Sequence, residues 1–102
     1  FNATPRYSPD GREIVFSSWV DNKFDIYRID SKGRNLVRLT KNFGSNEEPS
    51  YSKDGEFVAF SSLRVLSRKR AIQNLYIMTR DGEILGNISD NFGTCSSPRW
   101  SN

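Results

Sequence analysis

Few residues in this chain have the types and spacing that chemistry needs. Glu47 and Glu48 are adjacent carboxylates, the kind of pair recruited for general acid–base work when both reach one substrate. Neighbours on an extended chain point to opposite sides, so these two are not expected to share a substrate. Asp10-Gly11, Asp54-Gly55 and Asp81-Gly82 look like fragments of calcium loops. None continues with alternating oxygen ligands and a closing glutamate, so they read as turns, with glycine in the left-handed position. Cys95 is the single cysteine, which removes any disulfide within the chain and any cysteine-based metal site. No basic residue adjoins it to lower its pKa, and an unreactive thiol is expected. Histidine is absent, so neither a Ser-His-Asp nor a Cys-His mechanism can be completed within this segment. The residues therefore predict no catalytic group, no metal and no cofactor.

Charge narrows the partners. The chain has 102 residues, 35% of them hydrophobic, and a formal net charge of +3. That charge is too small to predict a nucleic-acid partner. No stretch approaches the roughly 18 apolar residues of a membrane span, so no direct membrane insertion is expected. Arg64, Arg68, Lys69 and Arg70 gather four basic residues around Val65 and Leu66. This segment reads as the soluble tip of an extended hairpin, with a weaker docking role on an acidic partner or an anionic surface.

The elements that must position these residues announce themselves by repetition. PRYSPDGREIVFSS begins at Pro5, PSYSKDGEFVAFSS at Pro49 and PRWS at Pro98, giving spacings of 44 and 49 residues. Phe16 and Phe60 each lie 11 residues after their proline, and Tyr27 and Tyr76 each lie 22 before the next. The extra five residues of the second unit fall between Phe60 and Tyr76. A period in the forties made of short strands is the signature of β-propeller blades. The expected fold is all-β: four-stranded antiparallel blades, about two of them plus the first strand of a third. The expected division is repeat one over 5–48, repeat two over 49–97 and the start of repeat three over 98–102. Within repeat one, strands are expected at 6–8, 13–17, 25–29 and 35–39, with 19–24 as a loop. In repeat two they are expected at 50–52, 57–61, 75–78 and 84–88. Ile14 and Phe16 face one side and Val15 the other, as suits a blade sandwiched between neighbours. Closed propellers typically need four to eight blades, so the chain is expected to be a piece of a longer protein.

The strings PRYSPDGREIVFSS, DIYRIDSKGRNLVRLT and NLYIMTRDG resemble the repeat of TolB-type β-propellers, across almost the whole chain. Departures are small: Tyr7 and Tyr51 stand for the usual tryptophan, Lys53 for the turn proline, and Thr79 for the aspartate found at Asp30. The resemblance implies a six-bladed propeller in the parent, a periplasmic location with a signal peptide, and a place in the Tol–Pal envelope system. It implies a non-enzymatic, protein-binding role whose partner is a Pal-like lipoprotein, with other Tol proteins as further candidates. The alternative is the non-catalytic gating propeller of a prolyl-oligopeptidase-like or tricorn-like peptidase, since those carry similar repeats.

Loops leading into the innermost strand of each blade surround one mouth of the channel, and the resemblance makes that face the receiving one. The candidate partner-binding residues are Ala3, Thr4, Ser45, Asn46, Glu47, Glu48, Ser96 and Ser97. Blades also expect neighbours on both sides. An excised piece is therefore expected to self-associate through faces around Ile14, Val15, Phe16, Phe57, Val58 and Phe60.

Overall fold

The chain was analysed as a computed structural model, which describes residues 2–41 and 43–88. The expected third unit from Pro98, together with Cys95, Ser96 and Ser97, lies outside the described residues. Eight strands follow one another: β1 (Asn2–Tyr7), β2 (Glu13–Val20), β3 (Lys23–Asp30), β4 (Val37–Arg38), β5 (Ser45–Tyr51), β6 (Phe57–Ser67), β7 (Arg70–Thr79) and β8 (Ile84–Asn87). They form two four-stranded antiparallel sheets in the orders β1-β2-β3-β4 and β5-β6-β7-β8. Chain neighbours are sheet neighbours throughout, the meander of a propeller blade. The all-β expectation of successive four-stranded blades is met.

The first turn shows why the two sheets start alike. The Ser8 hydroxyl donates to Asp10 Oδ1 at 2.7 Å and accepts from the Glu13 amide at 3.0 Å. Asp10 Oδ1 also accepts from the Arg12 amide at 3.0 Å, and the Gly11 amide closes the turn on the Ser8 carbonyl at 2.9 Å. Gly11 has φ +72°, which a side chain would resist. Ser52, Asp54, Glu56 and Phe57 reproduce each contact, with Gly55 at φ +77°. Lys53 thus occupies the turn without changing it. At the third turn, the Asp30 carboxylate accepts from the Lys32 and Arg34 amides at 3.0 and 2.8 Å. Thr79 substitutes for it by accepting from the Glu83 amide at 3.1 Å through its hydroxyl.

Three expected boundaries differ. Residues 19–24 are not a loop: the ladder runs to Val20↔Lys23, and Asp21 and Asn22 turn the chain with φ +53° and +67°. Two left-handed residues make the type I′ turn that matches strand twist, and Asp and Asn tolerate it. The extra length of repeat two is strand, in keeping with an extended hairpin: β6 and β7 stay paired out to Ser67↔Arg70, past the expected ends at 61 and 75. Finally, residues 2–4 and 45–48, expected as loops, belong to β1 and β5. Both innermost strands carry a register shift at the same place, between Ala3 and Arg6 and between Glu47 and Ser50. Each bulge holds a proline, Pro5 or Pro49, which cannot donate to the ladder; the strand resumes upstream of it.

The core lies between the two sheets. Val15, Ile26 and Leu39 of the first meet Tyr51, Val58, Phe60 and Met78 of the second, with Val37, Phe43, Tyr76 and Ile84 at its edge. Phe60 stacks on Tyr76 at 6.0 Å and is fully buried, with Phe43 edge-on to both rings. Burial of a side chain of that size is worth about 1.5–3 kcal/mol. Phe16 stacks on Tyr27 at 5.8 Å in the matching register, yet this pair is only half-buried. It lies on the face of the first sheet turned away from the second. Gly82, φ +99°, passes close to Leu39; a Cβ there would sit 2.7 Å from the Leu39 carbonyl oxygen.

Candidate interaction surface

The two ends of the paired sheets differ in what they do with charge. At the end bearing the Ser-x-Asp-Gly turns, Glu13 receives Arg80 at 2.6 Å, Arg28 at 3.5 Å and the Tyr51 phenol at 3.4 Å. Arg28 also reaches Asp81 of the second sheet at 3.2 Å and donates to the Arg80 carbonyl. Burial, then the nearby Glu13 charge, pushes the Tyr51 phenol well above its ordinary value. Asp10 and Asp54 are held below the usual carboxylate range, first by the Ser8 and Ser52 hydroxyls. Glu13, Arg28, Arg80 and Asp81 thus join the sheets at this end, while Asp10 and Asp54 fix their own turns.

The opposite end holds the beginnings of β1 and β5 and the tips of the β2–β3 and β6–β7 hairpins, because Asn2 pairs with Ser18 and Ser45 with Leu63. Asp25 is its anchor. Wholly buried, it accepts from Thr40 Oγ1 at 2.9 Å, Lys23 Nζ at 3.2 Å, Asn46 Nδ2 at 3.2 Å and Arg38 Nε at 3.1 Å, with Arg38 Nη2 closer still. Burial pushes its carboxyl up, but the hydrogen bonds from Arg38, Thr40 and Lys23 outweigh it, and the net direction is down. Lys23 also donates to the Gly44 carbonyl at 3.1 Å, and the Phe24 amide to Ser45 Oγ at 3.0 Å. Both bonds tie the first sheet to the chain entering the second.

The structure therefore divides the four candidates on β5. Ser45 and Asn46 face inward and join the sheets; Asn46 is fully buried, and its Oδ1 has no partner among the described residues. Glu47 and Glu48 are half-buried on the bulge, with Glu48 at φ +54°. A non-glycine residue held there is strained, a condition that concentrates at functional sites. Burial, then the neighbouring Glu48 charge, raises the Glu47 carboxyl. Ala3 and Thr4 occupy the matching stretch of β1; only their backbone is described, and Ser96 and Ser97 lie outside the described residues. Among the described residues, no three His, Cys, Asp or Glu side chains group as metal ligands.

The Asp25 cluster escaped the reading of the sequence, although one signal was present. Asp25 is an acid set between the apolar Phe24 and Ile26, and its register equivalent in the second sheet is Asn74. Arg38, opposite Tyr27, is matched by Asn87 opposite Tyr76. A charge pair in one repeat stands where the other has two neutral amides.

Comparison with known proteins places these features in a family. The TolB beta propeller domain profile matches residues 1–101. The curated Tol-Pal system protein TolB of Francisella tularensis subsp. mediasiatica is 34% identical over 89 residues, 87% of this chain. The chain spans only 20% of that relative's length. A solved structure assigned as TolB from Agrobacterium tumefaciens superposes with TM-score 0.74 at 32% identity, covering 98% of this chain and 38% of that one. An acylaminoacyl peptidase structure also superposes, TM-score 0.64 over 85% of this chain and 17% of that one; at 16% identity the likeness is one of fold alone.

Proposed function

The chain belongs to the TolB β-propeller domain family, and on that premise we propose that it is part of a non-enzymatic, protein-binding propeller. Its partner is a Pal-like lipoprotein, received at the end where β5 begins. The observation that carries the site is the bulge at Glu47 and Glu48. There two carboxylates are presented by a strained stretch of the innermost strand, beside an Asp25 knot that fixes its position. A fixed edge carrying half-buried carboxylates suits recognition of a folded partner, where a few well-fixed polar contacts surround an anchor. The Francisella relatives are Tol-Pal system proteins, which supports a partner within that system; a periplasmic setting is part of the same proposal. The gating propeller of a peptidase is the weaker reading, because it has only fold-level likeness behind it.

The test is a calorimetric titration of the full-length parent with the soluble domain of its own organism's Pal-like lipoprotein. One-to-one binding at micromolar or tighter affinity is expected, weakened about tenfold when Glu47 and Glu48 are both changed to glutamine. Binding indifferent to those changes removes the site. Absence of binding removes the Pal-like partner.

A further inference from the structure

The β6–β7 hairpin is built as an arm, and its tip is the densest run of charge in the chain. Arg68, Lys69 and Arg70 stand consecutively, and no other three neighbouring residues in the sequence carry like charge. All three are exposed, and none joins an ion pair formed among the described residues. Buried or half-buried acids take up Lys23, Arg38, Arg28 and Arg80, as Asp25 and Glu13 do. The tip has no such acid among the ion pairs of the described residues, and it sets three exposed cations side by side.

The arm is also longer than its sibling. Pairing continues seven residues beyond Phe60, to Ser67, but only four beyond Phe16, to Val20. Three more residues of strand carry the tip about 10 Å further. Its base is packed against the chain entering the second sheet. Arg64 lies over the Phe43 ring at 4.1 Å, and the Ser62 hydroxyl donates to the Phe43 carbonyl at 3.3 Å. Gly44 passes so close that a Cβ would come within 2.8 Å of the Leu63 carbonyl oxygen. The fourth basic residue, Arg64, is thus a clamp and not part of the tip. Between clamp and tip, Val65 is 73% exposed, and Leu63 adjoins it on the same face of the ribbon.

We propose that this arm is a docking element for an acidic protein surface, with Arg68, Lys69 and Arg70 steering the partner in and Val65 with Leu63 holding it. The proposal deepens the protein-binding reading above, on which it rests, by assigning charge and a second contact point to the same partner. The arm projects from the end where β5 starts, so one partner can span both. A membrane is the poorer match, since lipid recognition of this kind takes a cluster of four to eight basic residues and the tip offers three. Cations at the rim act chiefly on association rate, and a desolvated apolar contact on dissociation.

The experiment measures association and dissociation rates of the full-length parent with the Pal-like soluble domain, from about 50 to about 300 mM salt. The variants are R68E/K69E/R70E, the milder R68Q/K69Q/R70Q, and V65S. Wild-type association should slow as salt rises. Both triple variants should associate more slowly, the charge-reversed one about tenfold at low salt, with a flattened salt dependence. V65S should dissociate faster with little change in association. Triple variants that keep wild-type rates and salt slope overturn the arm while leaving the partner in place. No binding by the wild type overturns the partner, and the arm's assignment with it. Arm-dependent binding to phosphatidylglycerol vesicles, without protein binding, transfers the arm to a lipid surface and overturns the proposal.

Discussion

Changing Asp25 to asparagine would keep the side chain's shape and remove its charge from beneath Arg38 and Lys23. Those cations retain 29% and 23% side-chain exposure, so water softens the loss. We expect D25N to cost the full-length parent about 2–3 kcal/mol, short of the 3–5 kcal/mol of a fully buried pair losing one partner. The pH dependence has a definite sign. Asp25 is held below its unfolded value, so its contribution is complete above the ordinary carboxylate range and is lost as pH falls through the depressed folded value. Denaturant unfolding should therefore show wild type and D25N furthest apart at neutral pH and converging well below about pH 4. A gap that stayed constant with pH would mean that the cluster acts by packing alone. Glu47 runs the other way: its raised carboxyl costs stability at neutral pH, and the cost is relieved on acidification. A carboxylate kept at such a position is better explained by binding than by folding.

At the scale of the element, the turns make the cleanest comparison. Pro9 and Lys53 occupy the same place in turns whose hydrogen bonds agree one for one. Lys53→Pro should therefore stabilise the parent by about 0.4–1 kcal/mol, through the unfolded chain, measured as a higher denaturant midpoint at unchanged slope. Destabilisation would show that the second turn differs from the first. These turns were legible in the sequence because Ser, Asp and Gly each do a local job there. The aromatic pairs were legible too, since Phe16 with Tyr27 and Phe60 with Tyr76 keep step with the period. Strand extents were not. A type I′ turn at Asp21-Asn22 has no glycine to announce it, and a bulge at Pro5 or Pro49 hides the strand that continues behind the proline. For the same reason the candidate site was legible only as a stretch. Which of Ser45, Asn46, Glu47 and Glu48 turn inward depends on where that bulge falls. The Asp25 cluster draws its partners from β3, β4, the segment after β4, and β5, so no local pattern could gather it.

For the whole molecule, the two sheets bury one shared face and leave two others turned outward. Ile14, Phe16, Tyr27 and Ile29 on the first sheet are half-buried, as are Phe57, Leu75 and Ile77 on the second. Val15, Val58 and Phe60, expected from the sequence among the faces for self-association, are instead buried between the two sheets. Expressed alone, the chain should self-associate through the outward faces, giving concentration-dependent mass in sedimentation. A monodisperse monomer that binds no hydrophobic dye would contradict this. The account's central claim concerns location: the partner is received at the end where β5 begins, and not at the end of the Ser-x-Asp-Gly turns. Hydrogen–deuterium exchange of the full-length parent, with and without the Pal-like soluble domain, tests it most directly. Protection is predicted at the start of β5, around Glu47 and Glu48, and at the tip of the β6–β7 arm. Protection confined to the turns at Asp10 and Asp54, with the β5 start and the arm unchanged, would put the partner on the wrong end and contradict the claim.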